Sequence, residues 1–322
     1  MSAIAFLGRV LVLLWFGLAG ASAVTAADCP PPAEAPTTAQ AEALARAAPD
    51  RGFLWRISKD GRSSYLYGTV HAARLGWVFP GPRVSRALAA SDTVALELDP
   101  LDPAIQRGLQ HGMAAARGDA ALPAALAQRL QAQMVALCVE PAQLAGMAPE
   151  LQLATLAVLV GRRDGIDPAY GIDIALAALA RASERPVVSL ETAEEQIGAL
   201  RGQDHAATLE MVASGLDELE SGRARPLLLR MASLWADGNH AELSRYAEWC
   251  ECLRTDADRQ TMKRLLDDRN PGLADGIAAL HAAGRTVFAA VGSLHMIGPA
   301  GVHNLLAQRG FRVERIGPGE PS

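Results

Sequence analysis

Apolar residues at strand spacing occur near both ends of the chain. Residues 53–57 and 64–70 flank the turn sequence at 59–62, which predicts a β-hairpin. Residues 93–98 and 286–291 contain few polar residues, which is typical of strands buried on both faces of a sheet. Two more strands are predicted at 186–190 and 311–316.

Between these strands, apolar residues recur at helix spacing. The pattern predicts helices across 102–182 and 193–269, with breaks near Gly222 and Gly238. Shorter helices are predicted at 82–90, 270–283 and 299–308. Because strands come from both ends and helices lie between them, the sequence predicts one α/β domain. Its mixed central sheet is built from the N- and C-terminal strands and is flanked and capped by helices.

The first residues have the pattern of a secretory signal. Arg9 precedes an apolar run at 10–18, and small residues follow at 21–27. The apolar run is too short for an ordinary membrane span. We therefore expect residues 1–27 to be removed on export, leaving a periplasmic or secreted protein without a transmembrane span. Retention of the segment as an N-terminal anchor is the alternative.

The remaining chain is predicted to be a flexible leader at 28–50, with a helical pattern at 39–48, followed by one domain at 51–318. The chain has 322 residues, of which half are hydrophobic and 5% aromatic, so a sizeable core rich in helices is expected. The formal net charge is −5 and no basic patch is visible. Nucleic-acid binding is therefore not expected.

The chain contains four cysteines, at positions 29, 138, 250 and 252. An exported protein meets an oxidising compartment, so two disulfides are expected. A direct bond between Cys250 and Cys252 would be strained, because one residue separates them. We therefore expect each of these two to pair with a distant cysteine. A metal site at Cys-x-Cys is the alternative.

A Gly-x-x-His motif occurs twice, each time at the end of a predicted strand. The segments are Tyr67-Gly68-Thr69-Val70-His71 and Val291-Gly292-Ser293-Leu294-His295. In open α/β sheets ligands bind at the ends of strands, and histidine is suited to proton transfer and metal binding. The pair predicts a pocket that contains both imidazoles. Two unrelated hydrogen-bonded histidines are the alternative interpretation.

Glu97 is an acid within an apolar strand and must lie at the sheet edge or against a cation, a metal or a histidine. Near a metal it could be a ligand or a general base. Asp99 follows on the same face and is interpreted as an acid of the turn that ends the strand.

Other charged residues lie at the ends of predicted elements. Asp173 lies in a first helical turn, where the helix dipole explains it. Thr192 and Glu195 form a capping-box pattern, which leaves Glu191, at a strand end, as a candidate site residue. Arg269 ends a predicted helix and could neutralise a substrate or a strand-end acid. The other histidines lie on helical patterns and are interpreted as surface or structural residues: His111, His205, His240, His281 and His303.

Together these motifs resemble the TraB/GumN family, which also includes the Tiki-type proteins. The matching segments are Leu54-Trp55, Leu66 to His71, Leu96 to Asp99, Tyr170 to Asp173, Val188 to Thr192 with Glu195-Gln196, Arg269-Asn270, Val291 to His295, Gly298 to Gly301 and Leu305. The similarity covers residues 53–316. It implies an α/β fold similar to erythromycin esterase and ChaN-like proteins, and a metal-dependent peptidase activity as in Tiki-type members.

Carried onto this chain, the paired histidines of the family are His71 and His295, the strand acid is Glu97, and Arg269 matches another motif position. The leading hypothesis is a metal-dependent hydrolase of the peptidase type, acting on a peptide or protein in the cell envelope. Mn, Co or Zn would be held by the two histidines and Glu97 and would activate a water.

These three residues and Arg269 are the predicted catalytic residues, and Asp173 and Glu191 the predicted substrate-binding residues. One variant of the hypothesis drops the metal and uses Glu97 with a histidine as an acid–base pair. The alternatives from other classes are a non-catalytic protein that binds a peptide or small ligand, and an accessory factor for envelope polysaccharide production.

Overall fold

The computed structural model describes residues 29–114 and 121–317, so the predicted signal at 1–27 lies outside the described residues. Within them, six strands form one sheet: β1 Phe53–Lys59, β2 Arg62–Thr69, β3 Thr93–Leu96, β4 Val187–Ser189, β5 Val287–Gly292 and β6 Arg312–Arg315. The predicted strands are all present, and the sheet draws on both ends of the chain.

The strand order is β4-β3-β5-β2-β1-β6. β1 pairs antiparallel with β2 and β6, whereas β2, β3, β4 and β5 form parallel pairs. The predicted mixed α/β sheet is therefore confirmed. Thr69 lies opposite Gly292, and Leu96 lies opposite both Ala290 and Ser189. The four parallel strands thus end at one edge of the sheet, and the residues that follow them are brought together.

The sheet lies within the main apolar core. Every residue of β5 and β3 is buried, as their continuous apolar patterns predict. Helix Ile172–Ala182 covers one side with a run of buried small residues, among them Ala177 and Ala180, so the helix can approach the sheet closely.

The helices fill the chain between the strands. They are α1 Thr38–Ala47, α2 Pro82–Ala89, α3 Pro103–Met113, α4 Ala124–Ala136, α5 Pro141–Leu144, α6 Pro149–Leu159, α7 Ile172–Ala182, α8 Ala193–Leu200, α9 His205–Glu220, α10 Ala224–Ala236, α11 His240–Leu243, α12 Tyr246–Trp249, α13 Asp256–Leu265, α14 Asn270–Ala282 and α15 Val302–Gln308. Short 3-10 turns occur at Leu75–Trp77, Arg162–Asp164, Pro168–Tyr170 and Ser293–Met296. None of the described helices is long and apolar enough to cross a bilayer.

A second apolar core lies among the middle helices. Leu130 of α4, Leu156 of α6, and Val212 and Leu216 of α9 form its centre. These helices bury their apolar faces against one another, which explains why they show a helical period but no strand pattern. They supply part of the cap over the strand ends.

Helix α1 lies in the predicted leader and packs on the domain. Thr37 caps it in a capping box with Gln40, and Ala41 is buried beside Phe79 and Ala175. The helical pattern at 39–48 is confirmed as a helix, whereas the flexibility assigned to 28–50 and the domain boundaries stay predictions.

The cysteine pairing differs from the prediction. Disulfides join Cys29 to Cys138 and Cys250 to Cys252, so the expectation that Cys250 and Cys252 each have a distant partner is wrong. The reason lies in the residue between them. Glu251 has a left-handed backbone with φ of 53°, which curls the chain and brings the two Cα atoms within 5.1 Å, a distance that a disulfide spans.

Some helix boundaries also differ from the prediction. α13 ends at Leu265, so Arg269 does not end a helix but immediately precedes α14. The last helix begins at Val302 rather than at 299, because Gly298 has a positive φ and the chain still turns there. The long helical region after β4 is also interrupted at 201–204 and 250–255, in addition to the breaks near Gly222 and Gly238.

Candidate active site

The strand ends bring the predicted site residues to one edge of the sheet. β2 ends at Thr69 and β5 at Gly292, and the two residues are paired across the ladder. Glu97 comes directly after β3, next to β5. His71 and His295 follow the two Gly-containing strand ends, so the repeated motif delivers two imidazoles to neighbouring positions.

His71 is held by Asp173 at the start of α7. The Nδ1 atom donates to Asp173 Oδ2 at 2.8 Å, and the hydroxyl of Thr69 donates to Asp173 Oδ1 at 2.7 Å. The His71 Nε2 atom then faces Glu97 Oε1 at 4.0 Å. The His71 side chain is 63% exposed. The charge of Asp173 raises the pKa of His71 above its ordinary value, against the opposing effect of desolvation.

His295 is held by Asn270 at the start of α14. Its Nδ1 atom donates to Asn270 Oδ1 at 2.6 Å, while Asn270 Nδ2 donates to the carbonyl of Ala300. The His295 Nε2 atom lies 3.9 Å from Glu97 Oε1. His295 is 3% exposed, and burial lowers its pKa although the nearby Glu97 charge opposes the shift.

Glu97 is a buried carboxylate with donors on both oxygens. Oε1 accepts from the backbone N–H of Gly292 at 2.5 Å, and Oε2 accepts from Gln196 at 3.0 Å and Arg269 at 2.8 Å. Burial disfavours its charge, but the facing imidazoles, the guanidinium of Arg269 and the N–H of Gly292 together lower the pKa of Glu97 to about 2.

Arg269 joins two acids. Nε and Nη2 donate to the two oxygens of Glu191 at 2.8 and 2.6 Å, Nη2 also donates to Glu97, and Nη1 donates to the carbonyl of Leu265. Gln196 donates to both acids as well. The planar guanidinium therefore holds the two carboxylates side by side in the buried edge of the site.

Gly292 lies where the three side chains converge. A Cβ atom at this position would be 3.1 Å from Glu97 Oε1, 3.4 Å from His71 Nε2 and 3.5 Å from His295 Cδ2. The glycine thus leaves the space that the two imidazoles and the carboxylate share. The structure brings the three predicted residues together, and their catalytic and metal-binding roles stay predictions.

A cavity of about 380 Å³ opens above this group. Its lining includes His71, Glu97, Arg269 and His295, which form its polar floor, together with apolar side chains from the helices. Asp173 and Glu191 do not line it; they contact His71 and Arg269 instead. Their assignment to substrate binding stays a prediction.

Asp99 lies outside the site. Its carboxylate forms a two-point ion pair with Arg181 at 2.9 and 2.6 Å and accepts from the backbone of Leu101. This placement agrees with its interpretation as an acid of the turn after the strand.

The residue types at the site suit a divalent cation, but their spacing is wider than a coordination shell. Ligand atoms around a tetrahedral ion, with bonds of about 2.1 Å, lie about 3.4 Å apart. The two Nε2 atoms instead lie 4.0 and 3.9 Å from Glu97 Oε1. Across 29–114 and 121–317, no three His, Cys, Asp or Glu side chains are spaced to hold a metal ion.

Asn270 and Gln196 lie in segments that match the family, but the sequence does not reveal which site residues they contact. Asn270 precedes Pro271 and is explained by the start of a helix, so nothing in the pattern indicates that its side chain contacts His295. Gln196 lies in α8 behind a capping box, and only the folded chain shows that it contacts Glu97.

The fold and the site define a class of α/β protein in which histidines and an acid meet at the strand ends of a mixed sheet, beneath a helical cap. The chain belongs to the TraB/PrgY/gumN family, whose family model matches residues 53–315. The predicted family is thus confirmed over most of the chain. Neither the curated proteins nor the solved structures contain a match to it.

Proposed function

We propose that the protein is a hydrolase that cleaves an amide bond in a peptide or protein of the cell envelope. One observation carries the proposal: two imidazoles with opposite environments face the same buried carboxylate on the floor of a cavity. Paired groups whose environments move their pKa values in opposite directions are suited to divide the acid and base roles.

His295 is suited to be the base. Its Nδ1 proton is held by the amide oxygen of Asn270, and burial favours the neutral ring, so the Nε2 lone pair is available inside the cavity. A water that attacks the substrate carbonyl carbon gives its proton to this nitrogen. The charge of Glu97 stabilises the imidazolium that forms, and Arg269 holds Glu97 in place.

His71 is suited to be the acid. Asp173 favours its protonated form, and its exposed side chain lines the cavity. When the carbon–nitrogen bond breaks, the leaving amine takes the Nε2 proton, and the product is an acid and an amine. Exchange of protons with solvent, which reaches His71, returns both rings to their starting states.

The pattern of residues 1–27 and the two disulfides support a location outside the cytoplasm. There the protein would meet extracytoplasmic peptides. A fraction-by-fraction immunoblot of the native producer, with periplasmic and cytoplasmic marker proteins, tests this part of the proposal.

Digestion of an unbiased peptide library tests the activity. We expect His71→Ala and His295→Ala each to lower turnover by about 100-fold or more, with unchanged circular dichroism. The matched control is His111→Ala, which removes an exposed histidine of α3 and leaves turnover unchanged. Undiminished turnover in both site variants would refute the proposal.

A metal-dependent form of the same proposal uses Mn, Co or Zn held by His71, His295 and Glu97. It is favoured by the two imidazoles whose Nδ1 atoms are already held, which orients each Nε2 towards Glu97. A bound ion would lower the pKa of its water. Metal analysis of the purified protein, and turnover before and after chelation and metal return, decide between the two forms.

A further inference from the structure

Apolar side chains from the helices form one wall of the cavity. Val158 of α6, Leu228 and Met231 of α10, and Leu265 and Leu266 at the end of α13 line it. Among the described lining residues, the charged and imidazole groups are those that follow β2, β3 and β5 and Arg269 before α14, and the helix side chains named here include none of them. The cavity therefore has one reactive side and one side without hydrogen-bonding side chains.

The apolar wall follows from the helical spacing and packing of its residues. Leu228, Met231 and Ala232 follow the i, i+3, i+4 spacing and occupy one face of α10. Met231 packs at the edge of the sheet core, whereas Leu228 packs on the second core. Val135 is the one large hydrophobic side chain that is exposed among the described residues. Apolar side chains that face open space are therefore rare in this part of the protein.

The volume limits what the cavity can enclose. About 380 Å³ equals roughly a dozen water molecules at about 30 Å³ each. That space takes the bond to be cleaved and one or two side chains beside it. The rest of a longer peptide must stay outside the cavity.

We propose that the wall selects a peptide with a bulky apolar side chain beside the cleaved bond, and that Met231 sets the size limit. This inference rests on the proposed hydrolase function. A leucine- or phenylalanine-like side chain would cover the wall, and its apolar surface would be removed from water. An aspartate, glutamate or lysine side chain at the same place would lose its hydration and find no partner there.

A set of peptides that differ at one position beside the cleaved bond tests the inference. They carry leucine, phenylalanine, alanine, glutamate or lysine. We expect kcat/KM for the leucine peptide to exceed that for the glutamate peptide by about 100-fold. Met231→Ala should raise the phenylalanine-to-leucine ratio by about tenfold, and Met231→Lys should shift the preference towards glutamate.

The matched control is Met211→Ala, which truncates a partly buried methionine of α9 that does not line the cavity, and should leave both ratios unchanged. Circular dichroism shows whether each variant is folded. Binding is measured separately, by calorimetry with N-methylated, uncleavable versions of the same peptides.

The outcomes separate the two proposals. Cleavage without side-chain preference, or with ratios that ignore both Met231 variants, overturns the inference and leaves the hydrolase intact. Preferential binding of the apolar uncleavable peptides that depends on Met231, without cleavage of any peptide, supports the wall as a selective surface and rejects the hydrolase. Equal binding of all peptides overturns the inference without reference to catalysis.

Discussion

His71 and His295 end the same short motif but lie against different partners. A carboxylate, that of Asp173, accepts from the first ring, and an amide, that of Asn270, accepts from the second. The carboxylate favours the imidazolium, whereas the amide adds no charge and burial favours the neutral ring. The surroundings of each ring, rather than the motif itself, therefore set which form is favoured: the charge of Asp173 for His71 and burial for His295.

Replacement of Asp173 by asparagine should lower the upper pH limit of activity. Asp173 raises the pKa of His71, so the acid form of that ring persists to higher pH in the native protein. Without the charge, the pKa of His71 falls, and the loss of activity with rising pH begins at a lower pH. The pH profile of kcat for peptide cleavage measures the shift.

The matched control for that variant is Asp102→Asn. Asp102 caps α3, and asparagine caps a helix equally well, so both the fold and the profile should remain unchanged. An alkaline limb that stays in place in Asp173→Asn would contradict the assignment of His71 as the acid.

Alanine at Gly292 should disturb the site with little effect elsewhere. The added methyl would press on Glu97 Oε1 and crowd both rings. We expect kcat/KM to fall by about 10- to 100-fold and the free energy of unfolding to fall by about 1 to 3 kcal/mol. Peptide cleavage and urea unfolding measure the two effects.

Gly198→Ala provides the comparison. Gly198 lies inside α8, and a Cβ atom there meets no neighbour within 4 Å. Stability should be unchanged or higher by up to about 1 kcal/mol, with full activity. If the two alanine variants behaved alike, the space at Gly292 would not matter to the site.

At the scale of residues, the sequence predicts the members of the site better than their partners. His71, Glu97 and His295 are identifiable because each follows or ends an apolar strand. The contacts of Asp173 and Asn270 with the two histidines are not predicted, because a helix start already explains both residues. Contacts between side chains more than 100 residues apart, such as His71 with Asp173, depend on the packing of elements that a one-chain pattern does not specify.

At the scale of elements, strands are predicted well because their apolar runs are short and continuous. The errors fall where local backbone conformation decides the outcome. Glu251 has a left-handed φ, which no sequence pattern at this position indicates, and it lets Cys250 and Cys252 bond to each other. The helical pattern continues to Arg269 in the sequence, but α13 ends at Leu265, before Asp267 and Asp268.

The two disulfides should differ in their effect on stability. The Cys29–Cys138 bond joins residues separated by 109 positions, whereas Cys250–Cys252 joins residues separated by 2. A cross-link stabilises mainly by restricting the unfolded chain, and more so for a longer loop. Replacing Cys29 and Cys138 by serine should cost about 2 to 4 kcal/mol.

The double serine variant at Cys250 and Cys252 should cost about 1 kcal/mol or less on the same grounds. Urea unfolding of the three oxidised proteins measures the difference. A larger loss of stability on removing Cys250–Cys252 than on removing Cys29–Cys138 would contradict this prediction. It would show that loop length does not set how much each disulfide stabilises the protein.

At the scale of the whole molecule, the sheet order explains why one domain needs both ends of the chain. β5 lies between β2 and β3, although about 220 residues separate it from β2 and about 190 from β3 in sequence. The sequence predicts that the sheet draws on both ends, but not that β5 is the strand between β2 and β3. The order depends on which faces the helices cover after they pack.

A chain that ends at Ala282 should therefore fail to fold. It lacks β5, so β2 and β3 lose their shared partner and the apolar side chains of the sheet core remain uncovered. A chain that ends at Gly317 keeps all six strands and should fold normally. Circular dichroism and limited proteolysis of the two chains measure the outcome. A protease-resistant fold in the shorter chain would contradict the central role of β5.

The central position of β5 also affects when the site can form during translation. His71 and Glu97 are translated early. Residues 287–292 form the strand between β2 and β3 and are translated near the end. A nascent chain that has not reached β5 therefore contains His71, Glu97 and Arg269 but lacks the strand that brings His71 and Glu97 together. Under the proposed function, peptide cleavage would therefore begin only after residues 287–295 have been translated and β5 has joined the sheet.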